Sequence, residues 1–194
     1  NTKPTVTIDT PQTVKGAWDI LATVTDENFN VDKVTFKIGS YAQTMFCTTG
    51  KTMSCKSKYD SNLLADGPKV LEVMAVDTPG NSFTASKNVS IDNKPPEFRF
   101  IKIDPTYSKD PKEIKFTVGL EDIGSSVKVA QATIKHSEFS AALDMINVSA
   151  AWYGKATIVS YGSHKVGIKA EDQSGNSATY DEKGYFYIGP LSCG

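Results

Sequence analysis

Ala75-Val76-Asp77-Thr78-Pro79-Gly80-Asn81-Ser82 returns later in the chain as Ala170-Glu171-Asp172-Gln173-Ser174-Gly175-Asn176-Ser177, at an offset of 95 residues. The same offset carries Gly67 onto Gly162, Val73 onto Ile168, and Val6-Thr7-Ile8-Asp9 onto Ile101-Lys102-Ile103-Asp104. With small shifts, Ile20 to Val24 faces Ile114 to Val118, and Val31 to Ile38 faces Val127 to Ile134. Matches spread over a whole period mark two copies of one domain rather than one shared turn. The repeated octapeptide also has a local reading. Asp and Asn side chains accept from or donate to nearby backbone, and Gly tolerates positive φ, so Asp77 and Asp172 are predicted to fasten turns between two strands.

Around these turns the apolar residues alternate. Val34, Phe36 and Ile38 interleave with Thr35 and Lys37; Ile114, Phe116 and Val118 interleave with Lys115 and Thr117. Period-two alternation places one face of a strand on a core and the other in water. Helical spacing is scarce. The best stretch is Ser137 to Ile146, where Phe139, Leu143 and Ile146 suggest at most a short helix or turn. The expectation is all-β, with two tandem β-sandwiches joined end to end. Their bounds are 1–95 and 96–190, with a tail over 191–194. Pro95-Pro96 denies the sheet two backbone donors and stiffens the joint between the copies.

Composition narrows the classes. Lys+Arg 21 against Asp+Glu 22 leaves a net charge of -1, without the basic surplus that phosphate recognition needs, so no nucleic-acid partner is expected. No apolar run reaches the roughly 18–20 residues of a membrane helix, so no membrane span is expected in these residues. The start, Asn1-Thr2-Lys3-Pro4, reads as a mature or excised fragment rather than a signal peptide. The chemistry of catalysis is thin as well. His136 and His164 are the only histidines, and no Gly-x-Ser-x-Gly, His-Glu-x-x-His or phosphate loop frames them. The chain is therefore expected not to be an enzyme.

Leu64-Ala65-Asp66-Gly67-Pro68-Lys69-Val70-Leu71-Glu72-Val73, Ala75-Val76-Asp77 with Gly80-Asn81-Ser82, and Val89-Ser90-Ile91-Asp92-Asn93 with Pro96 form one pattern along the first copy. In that pattern the copy resembles bacterial immunoglobulin-like repeat domains of surface and secreted proteins. The second copy keeps Ala170, Asp172, Gly175 and Asn176 but departs most over 135–160. The resemblance implies an extracellular or cell-surface binding or spacer module whose partner is a protein or glycan on a cell surface or matrix. An alternative is a non-catalytic accessory region of a secreted hydrolase, with carbohydrate binding as one role.

Four candidate features follow. Cys47 and Cys55 bracket seven residues with a central Gly50, a hairpin length that can bring two sulfurs together. A disulfide there implies an oxidising compartment; Cys193 is left over. Ile91-Asp92-Asn93-Lys94-Pro95-Pro96-Glu97-Phe98 is similar to the inter-domain segments of cadherins, which implies calcium. Asp92, Asn93, Glu97 and Asp26 would be its oxygen ligands, with Glu27 and Asp122 nearby in kind; ordinary solvated charge is the other reading. Trp152 and Tyr153, in the divergent stretch, are candidates for a partner contact or else for core. On the last strand Tyr185 and Tyr187 share one face and Phe186 the other, so one set should be core. Asn88-Val89-Ser90 and Asn147-Val148-Ser149 are acceptor triplets for glycan.

Overall fold

The computed structural model describes residues 2–137 and 139–190, with the backbone alone of Phe139, Glu182 and Lys183. Cys193 and the 191–194 tail lie outside the described residues. The chain divides into two compact units, Asn1–Asn93 and Lys94–Gly194, so the division falls two residues before the expected one.

The first unit contains β1 (Thr5–Ile8), β2 (Thr13–Val14), β3 (Ala17–Thr25), β4 (Val31–Ile38), β5 (Tyr41–Thr44), β6 (Phe46–Cys47), β7 (Thr52–Asp60), β8 (Gly67–Asp77) and β9 (Ser82–Ile91). One sheet runs β1-β3-β7-β6 and the other β2-β9-β8-β4-β5. The second unit contains β10 (Glu97–Asp104), β11 (Tyr107–Ser108), β12 (Lys112–Glu121), β13 (Val127–His136), β14 (Phe139–Asp144), β15 (Ile146–Val148), β16 (Ala151–Ile158), β17 (Gly162–Asp172) and β18 (Ser177–Ile188). Its sheets run β10-β12-β16-β15 and β11-β18-β17-β13-β14, the same order element for element. The repeat seen in the sequence is thus a repeat of topology.

Each core is what the alternation dictates. Ile20, Ala22 and Val24 of β3 face Val34, Phe36 and Ile38 of β4 and Leu71, Val73 and Ala75 of β8, all of them buried. In the second unit Ile114, Phe116 and Val118 meet Ala130, Ala132, Ile134, Val166, Ile168, Phe186 and Ile188. Burying a side chain of this size contributes about 1.5–3 kcal/mol, which is why the pattern outweighs local propensity.

The chain passes from β5 to β6 through Met45 and from β14 to β15 through Met145. Both methionines are buried, and their amides donate to Val34 O at 2.8 Å and Ala130 O at 3.0 Å. Strands β2 and β11 also switch sheets and pair in parallel with β9 and β18.

The helical expectation for Ser137 to Ile146 is corrected. Those residues form β14 and β15, because β14 continues β13 as a hairpin, with His136 opposite Phe139 and Gln131 opposite Asp144. Cross-strand pairing and the burial of Met145 override a weak 3.6-residue spacing.

Candidate functional site

The hairpin of β6 and β7 places Cys47 directly opposite Cys55. Their sulfurs are bonded at 1.98 Å, with the Cα atoms 4.0 Å apart. The spacing around Gly50 is therefore that of a two-strand staple, and Thr48 N closes the loop by donating to Ser54 O at 3.0 Å.

The repeated aspartates do what their turns require. The Asp77 carboxylate accepts from Asn81 N at 2.7 Å and from Asn81 Nδ2 at 2.9 Å. Asp172 accepts from Asn176 N at 2.8 Å and Asn176 Nδ2 at 2.9 Å. Gly80 at φ 93° and Gly175 at φ 77° supply the left-handed residue each turn needs. Both carboxylates are buried.

The acidic residues expected to share calcium do not form one set. Asp26 follows β3 at the end of the first unit where Thr78 N donates to Asn30 O at 2.9 Å. Asp92 and Asn93 follow β9 at the other end, where Ile91 stands opposite Gly67. The eleven residues of β8 separate these ends, roughly 33 Å of strand. No single ion reaches both, so Asp26 is removed from the ligand set with Asp92 and Asn93. Asn93 has another task. Its Oδ1 accepts from Gly16 N at 2.9 Å and Ser61 Oγ at 2.8 Å, while its Nδ2 donates to Ser61 O at 3.1 Å. Its own amide donates to Asp66 Oδ1 at 3.1 Å, so it ties its own segment to the β2–β3 and β7–β8 loops. In the second unit Glu97 stands opposite Glu121, and Arg99 bridges the two carboxylates.

The aromatic expectation is half corrected. Trp152 is 7% exposed and belongs to the core, so it is not a contact residue. Adjacent residues of a strand point to opposite faces, and Tyr153, 41% exposed, takes the outer one beside Leu143 and Ile146. On β18 Phe186 is core, while Tyr185 and Tyr187 project outward.

A wider group of tyrosines, of which the sequence singled out only Tyr185 and Tyr187, lies here. The Tyr107 and Tyr187 rings are 6.3 Å apart and nearly parallel, at 11°. Tyr161 approaches from the β16–β17 loop. A Cβ on Gly189, whose φ is 132°, would sit 3.3 Å from Tyr161 Cδ1 and 3.5 Å from Tyr187 Cε1. Tyr185 stands opposite Lys165 on β17, and Lys165 opposite Lys135 on β13. All six side chains are exposed. The sequence signal was the Tyr185–Tyr187 alternation; what hid the rest was that Tyr107 and Tyr161 lie far off in sequence.

Of the two histidines, His164 is part of the core. His164 is fully buried and stacked on Phe186 at 4.7 Å and 3°. Its Nδ1 pairs with Gly162 O at 3.0 Å and its Nε2 with Ser160 Oγ at 2.8 Å. A carbonyl can only accept, so Nδ1 donates and Nε2 accepts from the serine hydroxyl. Burial lowers the His164 pKa below its ordinary value, the nearby His136 adds to this, and the Gly162 bond opposes it. The ring is thus packed and hydrogen-bonded within the core of the second unit. Among the described residues no helix is long and apolar enough to cross a membrane.

These features define a chain of two tandem immunoglobulin-like β-sandwiches. Solved structures agree on the fold. A multi-domain segment of titin matches with a TM-score of 0.59 at 11% identity, covering 94% of this chain and 66% of that one. A 1.5-MDa bacterial ice-binding adhesin matches at 0.55 and 11%, covering 98% and 67%. The Escherichia coli adhesin FdeC matches at 0.52 and 10%, covering 96% and 64%. The chain thus spans about two thirds of each of these structures. No protein-family model matches the chain, and no curated protein matches its sequence.

Proposed function

We propose that the chain is a non-catalytic, extracellular immunoglobulin-like module that spaces and presents a contact surface on a cell-surface or secreted protein. The observation that carries this reading is the Cys47–Cys55 disulfide, set directly across a β-hairpin. Such bonds persist where the surroundings are oxidising and are rare where glutathione keeps thiols reduced. Support also comes from the fold shared with two bacterial adhesins. The buried, core-packed state of His164 fits a module without catalysis. The second unit is the contact-bearing one, because its outer surface holds the tyrosine group.

The test is made in the cells that produce the protein. Intact cells are treated with a membrane-impermeant protease, and free thiols are trapped with a maleimide before lysis. Cleavage from outside, with Cys47 and Cys55 both protected from the maleimide, supports the reading. A protease-resistant chain with both thiols labelled overturns it.

A further inference from the structure

We propose that Tyr107 and Tyr187 form an oxidative cross-linking site, where a haem peroxidase and hydrogen peroxide couple the two rings into a dityrosine that bonds β11 to β18. Three observations carry this. The first is register. Tyr107 and Tyr187 are paired directly across the two parallel strands, so their side chains leave the same face of the sheet. Their rings lie 6.3 Å apart and nearly parallel, at 11°. The backbone around the pair is tied on both sides, since Tyr187 N donates to Thr106 O at 3.0 Å and Gly189 N to Ser108 O at 2.8 Å. Two reactants held as neighbours react at an effective concentration far above any that separate molecules reach.

The second observation is access. Tyr107 is 42% and Tyr187 37% exposed. An exposed phenol meets the oxidant and passes its proton to water as it loses an electron. A closer pair in the first unit, Tyr41 and Tyr59 with rings 4.9 Å apart, lacks this on one side. Tyr59 is 5% exposed, and burial raises the pKa of its hydroxyl above the ordinary value.

The third is the contrast between the copies. At the matching junction of β2 and β9 the first unit has Thr13 opposite Ser90, and neither can form such a bond. The next residues along the last strands, Ile91 and Ile188, are both fully buried. The core is thus alike beneath the two junctions, and packing does not account for the tyrosines.

The step balances. Each ring gives up one electron and its phenolic proton, and the two phenoxyl radicals join through one ε carbon of each. The hydrogens on those carbons then move to the oxygens, which restores both hydroxyls. One C–C bond replaces two C–H bonds, and the two electrons and two protons released reduce one peroxide to two waters.

The proposal rests on the extracellular reading for its oxidant. The two can fail separately: the thiol and protease test concerns location, and the test here uses purified protein. The full chain, dilute enough to keep encounters between chains rare, is treated with a haem peroxidase and hydrogen peroxide. Monomer is isolated under denaturing conditions and read by intact mass and by mass spectrometry of its proteolytic peptides. It is expected to lose two hydrogens, to gain dityrosine fluorescence and to yield a peptide joining Tyr107 to Tyr187. Tyr107→Phe and Tyr187→Phe should each lose all of that product while keeping the ring and hence the packing. Unfolding the chain in urea before oxidation should lower its yield at least about tenfold, because the two rings are then no longer held together. Four results overturn the proposal: a native monomer of unchanged mass, cross-links between chains only, coupling of Tyr187 to Tyr161 or of Tyr41 to Tyr59 in place of this pair, or an equal yield in urea.

Discussion

Replacing Asp77 by Ala should destabilise the first unit and leave the second untouched, and Asp172→Ala should do the reverse. Each substitution removes two bonds from an asparagine to a buried carboxylate, at 2.7 and 2.9 Å for Asp77 and at 2.8 and 2.9 Å for Asp172. Bonds to charged groups contribute about 1.5–3 kcal/mol each when the donor has no alternative. Here Asn81 is exposed and its freed donors turn to water, which brings the expected loss down to about 2 kcal/mol for the pair. The backbone bonds of the turn, Asp77 N to Asn81 O at 2.9 Å and Gly80 N to Asp77 O at 3.0 Å, survive the change. Native-state hydrogen exchange measures both units in one sample. About 2 kcal/mol corresponds to an about 30-fold drop in protection of the slowest β8 amides, with β17 unchanged. Asp77→Asn should fall between, because its amide keeps one acceptor but sets a donor against Asn81 Nδ2. A loss below about 0.5 kcal/mol would mean the carboxylates are spectators. An equal loss in both units would mean that the units do not unfold independently.

Trp152→Ala should cost the second unit about 3–5 kcal/mol in urea unfolding, the signature of a core residue; a contact residue would leave stability nearly intact. Asn93→Ala should cost the first unit about 2 kcal/mol, since Gly16 N and Ser61 Oγ lose their shared acceptor, and the effect should be the same with calcium or chelator. His164 makes the second unit acid-sensitive. Its folded pKa lies below the ordinary 6.5, so the unfolded chain takes up the proton first as pH falls. Stability should be level above about pH 7.5 and decline below about 6.5, by at most about 1.4 kcal/mol per pH unit, with no matching decline in the first unit down to about pH 5.5. Parallel pH curves for the two units would refute this.

The sandwich was legible because its two strongest signals are local. The Asp-x-x-Gly-Asn turn is built from its own neighbours, and strand alternation is read residue by residue. The Cys47–Cys55 spacing was legible for the same reason. Trp152 and Tyr153 stood open between contact and core, although β-strand geometry narrowed the choice: they are adjacent, so only one of them can face out. Ser137 to Ile146 misled because its apolar spacing fits a helix, while what decides it is pairing with β13. The grouping of Asp26 with Asp92 and Asn93 failed because sequence does not say which end of a sandwich a loop occupies. The tyrosine face was hidden because Tyr107, Tyr161 and Tyr187 meet only through strand order.

The short strands β2 and β11 carry a mechanical consequence. Ser90 N and Asp92 N donate to Gln12 O and Val14 O at 2.7 and 3.0 Å, and Tyr187 N and Gly189 N to Thr106 O and Ser108 O at 3.0 and 2.8 Å. In each unit these bonds join the second strand to the last, side by side and in the same direction. A pull on the two ends of a unit drags such partners past one another along their length. Their hydrogen bonds must then break together, whereas an antiparallel pair would open one bond at a time. Each unit is thereby latched against stretching between its second strand and its last.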